Sequence, residues 1–110
     1  MKKVIVETPY AGDIETNLKY LRACMRDCLL RGEAPFASHG LYTQPGVLRD
    51  EVKEERDHGI AAGFAWRAAS DMTVVYTDLG TSRGMQYGID HAKSIDHPIE
   101  YRTLGEGWNK

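Results

Sequence analysis

A carboxylate, a hydroxyl and a guanidinium follow an apolar run at residues 72–77: they are Asp78, Ser82 and Arg83. A carboxylate suits ribose hydroxyls because it accepts two hydrogen bonds. Arg83 stands at a predicted helix start, where a cation opposes the helix dipole unless it meets a phosphate or carboxylate. Small ligands bind at strand-to-helix turns of open α/β sheets, outside the carboxyl ends of the strands. The segment therefore predicts a site for a polar small ligand.

The first strand-to-helix turn is a second candidate, and it carries Thr8, Tyr10 and Gly12. Backbone N–H groups at the start of the following helix would suit an anion or the polar edge of a sugar. Gly12 permits a close approach of the ligand. The alternative is a plain turn in which Asp13 caps the helix.

Two further regions offer ligand-binding side chains. His39 is predicted at the end of the second strand, where a neutral imidazole would stack on a base or hydrogen-bond to it, and Tyr42 follows. The alternative for His39 is a histidine on a surface loop. Glu55 lies in a charged run that is either a solvated helix face or close enough to the core to accept a hydrogen bond from a ligand hydroxyl.

Periodicity, capping residues and glycine or proline breaks predict the elements that must position these groups. The predicted strands cover residues 3–7, 34–38, 72–77 and 99–102, and the predicted helices cover residues 14–31, 49–69 and 83–95, with a loop over 39–47. Alternating strands and helices predict right-handed crossovers and a parallel sheet of about four strands with helices on both faces. The length of 110 residues predicts a single domain, residues 1–110.

Composition excludes several classes of function. The net charge of -2 gives no basic surface for nucleic acid, and no apolar run approaches the length of a membrane span. Cys24 and Cys28 lie one helical turn apart and are expected to be reduced core thiols, because two thiols alone are too few for a metal site. We therefore expect a cytoplasmic protein without metal or cofactor.

The small sheet also predicts association with a second copy. Four strands bury little apolar surface, so we expect a homo-oligomer in which Trp108 or the loop around Tyr42 packs on a neighbour.

Several motifs resemble those of nucleoside 2-deoxyribosyltransferase-like proteins, and most of all the small members found in bacteriophage genomes. They are Val-Val-Tyr-Thr-Asp-Leu-Gly at 74–80, Ser-Arg-Gly-Met-Gln-Tyr-Gly-Ile at 82–89, Pro-Ile-Glu-Tyr-Arg at 98–102, Tyr-Thr-Gln-Pro-Gly at 42–46 and Glu-Glu-Arg-x-x-Gly-Ile at 54–60. The resemblance covers about residues 3–102.

The resemblance implies a flavodoxin-like or Rossmann-like three-layer sandwich that binds a nucleoside or nucleotide. In the enzymes of the family a helix glutamate attacks the anomeric carbon and an aspartate assists, which Asp78 matches. Here Gly84 and Met85 are followed by Gln86, and the other register places Gly88 at that position. An amide is a poor nucleophile, so the resemblance implies a retained pocket without its nucleophile.

We therefore expect a protein that binds a nucleotide-like small molecule without turnover. For a phage-encoded chain this would sequester an immune signal, such as a cyclic or ADP-ribose-type nucleotide, in the host cytoplasm. The alternatives are a deoxyribosyltransferase or N-glycosidase that uses Asp78 or Glu55, and a partner-binding protein with a vestigial pocket. The predicted lining is Thr8, Tyr10, Gly12, His39, Tyr42, Glu55, Asp78, Ser82, Arg83, Gly84, Met85 and Gln86.

Overall fold

Strands and helices alternate along the chain in a computed structural model, which describes residues 1–109. The elements are β1 (Lys2–Glu7), α1 (Ile14–Leu30), β2 (Glu33–Phe36), α2 (Ser38–Leu41), α3 (Lys53–Ala68), β3 (Met72–Tyr76), α4 (Arg83–Ser94) and β4 (Ile99–Arg102). Asp13 caps α1 by accepting from the Thr16 backbone N–H, and Ser82 caps α4 by accepting from Met85 N–H.

Two predicted boundaries are corrected by the structure. The helix predicted over 49–69 begins only at Lys53, because Arg49 and its neighbours form a loop that the side chain of Glu55 holds. Within the loop predicted over 39–47, the first residues belong to the four-residue helix α2.

The four strands form one parallel sheet in the order β2-β1-β3-β4. β1 pairs with β2 and β3, with Ile5 opposite Phe36 on one side and Thr73 on the other. The chain first crosses from β1 to β2 and then returns past β1 to β3. Right-handed crossovers in opposite directions place α1 on one face of the sheet and α3 and α4 on the other. This is the predicted α/β sandwich, and its strand order is that of flavodoxin-like folds.

The face covered by α1 holds the larger core. Val4, Val6 and Val74 from the sheet pack with Cys24 and Cys28 from α1, and all five side chains are buried. Both cysteines are free thiols that serve as small apolar side chains here. Within the chain the ring of Trp108, which the sequence suggested for a contact with a neighbour, packs edge-on against Tyr20 at 4.9 Å.

The face covered by α3 and α4 holds a much smaller cluster, made of Val75, Met85 and Ile89 with Ile99 against it. The remaining space between these two helices and the end of β1 is open, and the candidate site lies there. None of the helices in residues 1–109 combines the length and the apolarity needed to cross a bilayer.

Candidate functional site

A cavity of about 450 Å³ lies between α2, α3, α4 and the carboxyl end of β1. This volume is within the range of small-molecule sites. Its position beside β1 is the place where the chain reverses direction across the sheet, which is the usual ligand site of open α/β folds. The fold thus places the cavity where the sequence predicts a ligand.

Two pairs of glycines lie beside the cavity, and the members of each pair are one turn apart on a helix. Gly59 and Gly63 belong to α3, and Gly84 and Gly88 belong to α4; all four line the cavity. A Cβ at position 84 would meet nothing closer than 4.0 Å, so this position borders free space. A Cβ at position 88 would overlap the carboxylate of Glu7. Gly88 is therefore required so that this side chain can lie against α4.

The floor of the cavity is the buried ion pair of Glu7 and Arg67. Arg67 Nη2 donates to Glu7 Oε2, Nη1 donates to His91 Nδ1 at 3.0 Å, and Nε donates to Thr73 Oγ1 at 3.1 Å. The Arg67 side chain is 2% exposed and the Glu7 side chain is 12% exposed. Because every guanidinium nitrogen has a partner, the arginine is fixed and holds the Glu7 carboxylate in place.

The hydrogen bonds of Arg67 also fix the histidines behind the floor. A guanidinium can only donate, so His91 Nδ1 is unprotonated, and the ring stacks on Phe64 at 3.8 Å. Burial and the positive charge of Arg67 lower the pKa of His91. Thr73 Oγ1 continues the chain of hydrogen bonds to His97 at 2.9 Å. The floor is therefore rigid and holds the Arg67 guanidinium against the carboxyl group of Glu7.

Glu7 is the functional candidate that sequence reasoning missed. Burial raises its pKa to about 7, although the Arg67 guanidinium opposes the shift. One signal was available: a charged residue is unusual in a central strand of a parallel sheet, which is buried on both faces. A charge at the last residue of such a strand lies at the edge where ligands bind.

One wall of the cavity is formed around His39. Its Nε2 lies 2.6 Å from Thr8 Oγ1, and both residues line the cavity. Burial lowers the pKa of His39 to about 4, so the ring is neutral at physiological pH. Thr8 and His39 thus present a fixed, uncharged polar surface.

An aromatic cluster lies beside this wall. The ring of Phe36 packs against Tyr42 at 6.1 Å and against Trp66 at 5.2 Å, and Trp66 Nε1 donates to the Tyr42 hydroxyl at 2.8 Å. Phe36 and Tyr42 line the cavity together with Phe64. The hydrogen bond to Trp66 holds the Tyr42 ring, so the cavity has a fixed aromatic wall that can pack against a flat apolar group.

The mouth of the cavity carries two arginines. Arg56 and Arg83 both line it and are exposed. In residues 1–109 neither forms a salt bridge, and Arg56 Nη1 makes only a long 3.4 Å hydrogen bond to the Asp50 carbonyl. The nearby Glu55 accepts from Arg49 N–H at 3.0 Å and from Arg49 Nε at 2.8 Å, which lowers the pKa of Glu55. The mouth is therefore left with unpaired positive charge.

Most of the predicted ligand-binding residues come together at this cavity. Those that line it are Thr8, Tyr10, His39, Tyr42, Glu55, Ser82, Arg83, Gly84 and Met85.

Three predicted residues do not line the cavity. Gly12 lies in the turn before α1 and has a positive φ of 100°, a conformation that glycine adopts readily. Gln86 is exposed on the outer side of α4 and donates to Asp90 Oδ1 at 2.8 Å. The third is Asp78.

Asp78 fixes the carboxyl-terminal segment rather than facing the cavity. Its carboxylate accepts from the Tyr20 hydroxyl at 2.5 Å and from the backbone N–H groups of Leu104 and Gly105 at 2.9 and 3.0 Å. Burial opposes the shift, but these bonds hold the pKa of Asp78 below its usual range. With its hydrogen bonds satisfied by the protein, this carboxylate performs a structural role.

Metal binding has no support in this geometry. In the part of the chain that the structure describes, no group of three or more His, Cys, Asp or Glu side chains is arranged to hold a metal ion.

Comparisons with known proteins agree with this fold. The model of a family described as "Domain of unknown function (DUF7768)" matches residues 2–102. The chain belongs to this family. No curated protein matches the chain.

Among solved structures, this DUF7768 domain is similar to a 2-deoxyribosyltransferase of the psychrotolerant bacterium Bacillus psychrosaccharolyticus, an enzyme described as a biocatalyst for nucleoside synthesis. The identity is 14% and the TM-score is 0.65, and the match covers 96% of this chain and 74% of the other. At this identity the similarity shows the fold, which is the deoxyribosyltransferase-like fold that the sequence motifs imply.

Proposed function

We propose that this protein binds a nucleoside or nucleotide-derived small molecule in the cavity and holds it without turnover. The observation that carries the proposal is the combination of a fixed aromatic wall with unpaired arginines at the mouth of the same cavity. A nucleotide has one flat apolar part and one anionic part, and these two surfaces match them.

The aromatic wall supports recognition of a base. Phe36 and Tyr42 present ring surface to the cavity, and the neutral His39 lies in the same wall. Stacking of a base on an aromatic ring is worth about 1–3 kcal/mol and tolerates different bases. The wall therefore supports binding of the nucleobase class without selecting one base.

The mouth supports recognition of a phosphate. Arg83 is the first residue of α4, where the helix dipole adds positive potential and the next residues, Gly84 and Met85, leave the cavity side accessible. Arginine binds phosphate through two parallel N–H donors. Arg56 lies across the mouth from α4 and adds a second cation.

Binding without turnover is supported by the state of the carboxylates that the sequence and the resemblance single out for catalysis. A covalent glycosyl transfer needs a carboxylate that is free to attack the anomeric carbon. Gln86 is an amide and lies outside the cavity, both oxygens of Glu55 accept from Arg49, and Asp78 is bonded to the carboxyl-terminal segment. Glu7 is tied through one oxygen to Arg67.

A protein that holds a nucleotide intact would serve to sequester it. We extend the proposal to a nucleotide immune signal, such as a cyclic or ADP-ribose-type nucleotide, which a phage-encoded chain would bind in the host cytoplasm. The motif resemblance to phage members of the deoxyribosyltransferase-like proteins supports this use. A homo-oligomer in which Trp108 or the loop around Tyr42 packs on a neighbour stays part of the proposal.

A second candidate function is a deoxyribosyltransferase or nucleotide N-glycosidase. The observation in its favour is that the cavity floor contains a carboxylate, Glu7, whose second oxygen has no protein donor among residues 1–109. In that case base release would depend on this side chain.

The experiment mixes the purified protein with nucleoside monophosphates, cyclic dinucleotides and ADP-ribose, removes free ligand, and releases the bound molecule by heating. The proposal is supported if mass spectrometry detects the added compound intact among the released molecules and if that compound raises the melting temperature of the protein. A ligand at 100 times its dissociation constant stabilises by about 2.7 kcal/mol, which a thermal melt detects readily. Recovery of free base alone contradicts binding without turnover and favours the enzyme, and no stabilisation by any compound contradicts both.

A further inference from the structure

The Glu7 carboxylate uses only one of its two oxygens within the protein. Oε2 accepts from Arg67 Nη2, and in residues 1–109 no group donates a hydrogen bond to Oε1. In the same part of the chain, no fully enclosed side-chain nitrogen or oxygen lacks a partner. Oε1 is therefore not sealed in the core, and it faces the cavity that Glu7 lines.

The charges of the floor restrict what can bind to this oxygen. An anion would be repelled by Glu7 in its ionised form, and a cation would meet the guanidinium of Arg67 beside it. A neutral O–H or N–H donor satisfies the oxygen without adding charge. A ligand that fills the cavity displaces solvent from this oxygen, and an acceptor then left without a donor costs more than a typical hydrogen bond gains, so the ligand is expected to supply one.

The position of Glu7 along α4 indicates which part of a nucleotide supplies the donor. Arg83 and Gly84 form the first turn of the helix, and Gly88, which the Glu7 carboxylate contacts, lies one turn further on. Four helical residues rise about 6 Å. A phosphate at Arg83 therefore places its attached sugar, rather than its base, beside Glu7.

Resting on the proposed nucleotide binding, we propose that Glu7 binds a secondary hydroxyl of the ligand's pentose and makes the site selective for ribose over the corresponding deoxy sugar. Gly88 is the residue that permits this, because any side chain there would occupy the place of the carboxylate. Arg67 is a positioning residue that holds the carboxylate through its other oxygen.

The test compares ligands on the unmodified protein. Calorimetry measures the affinity of the four common ribonucleoside 5′-monophosphates and of their 2′-deoxy and 3′-deoxy counterparts. Hydrogen bonds to charged groups predict that removal of the contacted hydroxyl weakens binding about 10- to 100-fold. Equal affinity for the ribose form and both deoxy forms overturns the assignment of Glu7 and leaves nucleotide binding standing, whereas no binding of any monophosphate, cyclic dinucleotide or ADP-ribose overturns the assignment together with its basis.

The protein side of the same contact is removed by Glu7→Gln. The amide oxygen can still accept from Arg67, but the acceptor charge on the cavity side is lost. The variant is expected to bind the ribose form about as weakly as the deoxy form, with circular dichroism confirming that it is folded. Glu15→Gln is the matched control, because it makes the same change at an exposed position on the opposite face of the sheet.

A second variant protects the conclusion if Glu7→Gln does not fold. Gly88→Ala leaves the carboxylate in the chain but displaces it, and it should reduce the discrimination between ribose and deoxy forms. Retention of full discrimination by either folded variant overturns the proposal.

Discussion

Two buried glutamate–arginine pairs lie on this small sheet, and they differ in how many oxygens of the glutamate are hydrogen-bonded. Glu33 accepts from Arg102 through both oxygens, at 2.7 and 2.6 Å, and Tyr76 and Cys28 lie against the same guanidinium. Glu7 accepts from Arg67 through one oxygen only. The hydrogen bonds from Arg102 lower the pKa of Glu33, whereas burial raises the pKa of Glu7.

The difference separates a structural ion pair from a binding group made of the same two residue types. A pair with matched donors and acceptors leaves nothing for a ligand to satisfy. A pair with one oxygen left over, beside a cavity, has a defined position and an unused hydrogen-bond acceptor. An ion pair with an unused acceptor beside a cavity is therefore the more informative sign of function.

Removing Arg102, which donates to both oxygens of Glu33, should have the largest effect. Arg102→Ala leaves Glu33 without either donor, and breaking a buried pair in this way costs about 3–5 kcal/mol of unfolding free energy. Arg67→Ala should cost less, because Glu7 borders the cavity, where water can enter, and takes up a proton near neutral pH. Urea denaturation of both variants at pH 7 checks the order, and an equal loss would contradict the distinction between the pairs.

The two glutamates should also give stability profiles of opposite sign against pH. The folded pKa of Glu7, about 7, lies above the free value of 4.5, so its contribution to the unfolding free energy is greatest below pH 4.5 and declines as pH rises to 7. The slope from one such group is at most about 1.4 kcal/mol per pH unit. The folded pKa of Glu33 is lowered, so its contribution is present above the free value and is lost as pH falls.

Denaturation curves from about pH 2 to about pH 8 measure both effects. Glu7→Gln should make stability rise more steeply with pH over the interval from 4.5 to 7, and Glu33→Gln should flatten the loss of stability in acid. If Glu7→Gln and the unmodified protein show the same dependence of unfolding free energy on pH, then Glu7 titrates like an exposed glutamate.

The same difference between paired and unpaired groups is found at the mouth of the cavity. Arg83 has no acidic partner there among the described residues. Arg83→Ala should weaken a nucleoside monophosphate by about tenfold or more, because a charge-assisted hydrogen bond is lost, and should change the affinity of the parent nucleoside little. Calorimetry with both ligands measures the difference. Arg22→Ala on α1 removes the same charge far from the cavity, and equal losses for nucleotide and nucleoside with Arg83→Ala would contradict a phosphate contact.

The smallest effect is expected where the resemblance to the enzymes places their glutamate. Gln86 is exposed and outside the cavity, so Gln86→Glu should leave ligand affinity unchanged and should not produce base release. Its unfolding free energy should change by within about 0.5 kcal/mol, as is usual at a surface position. Chromatography of nucleotides incubated with the variant checks this, and release of free base would place residue 86 close to the sugar.

Most elements of this fold follow from local patterns. The β-branched run at 3–7, the cap at Asp13 and the cap at Ser82 predict β1, α1 and α4 with boundaries close to those observed. The start of α3 could not be predicted in this way, because the side chain that holds the preceding loop, Glu55, comes from the helix itself.

The site was harder to predict because its decisive contacts join distant parts of the chain. Asp78 follows β3 at the expected edge of the sheet, but its partners Leu104 and Gly105 turn it away from the cavity. Glu7 becomes a site residue only through Arg67 and Gly88, and no local pattern connects them. Sequence reasoning therefore found the edge of the sheet at which the cavity lies and not the carboxylate that faces the cavity.

The placement of both native thiols under α1 makes the chain convenient for optical sensing. Cys24 and Cys28 are fully buried, and burial raises the pKa of both, so neither reacts readily with maleimide or iodoacetamide dyes. Tyr87 lines the cavity and is 53% exposed. A fluorophore attached through Tyr87→Cys would be the single label on the chain, and its emission would report occupancy of the cavity in real time.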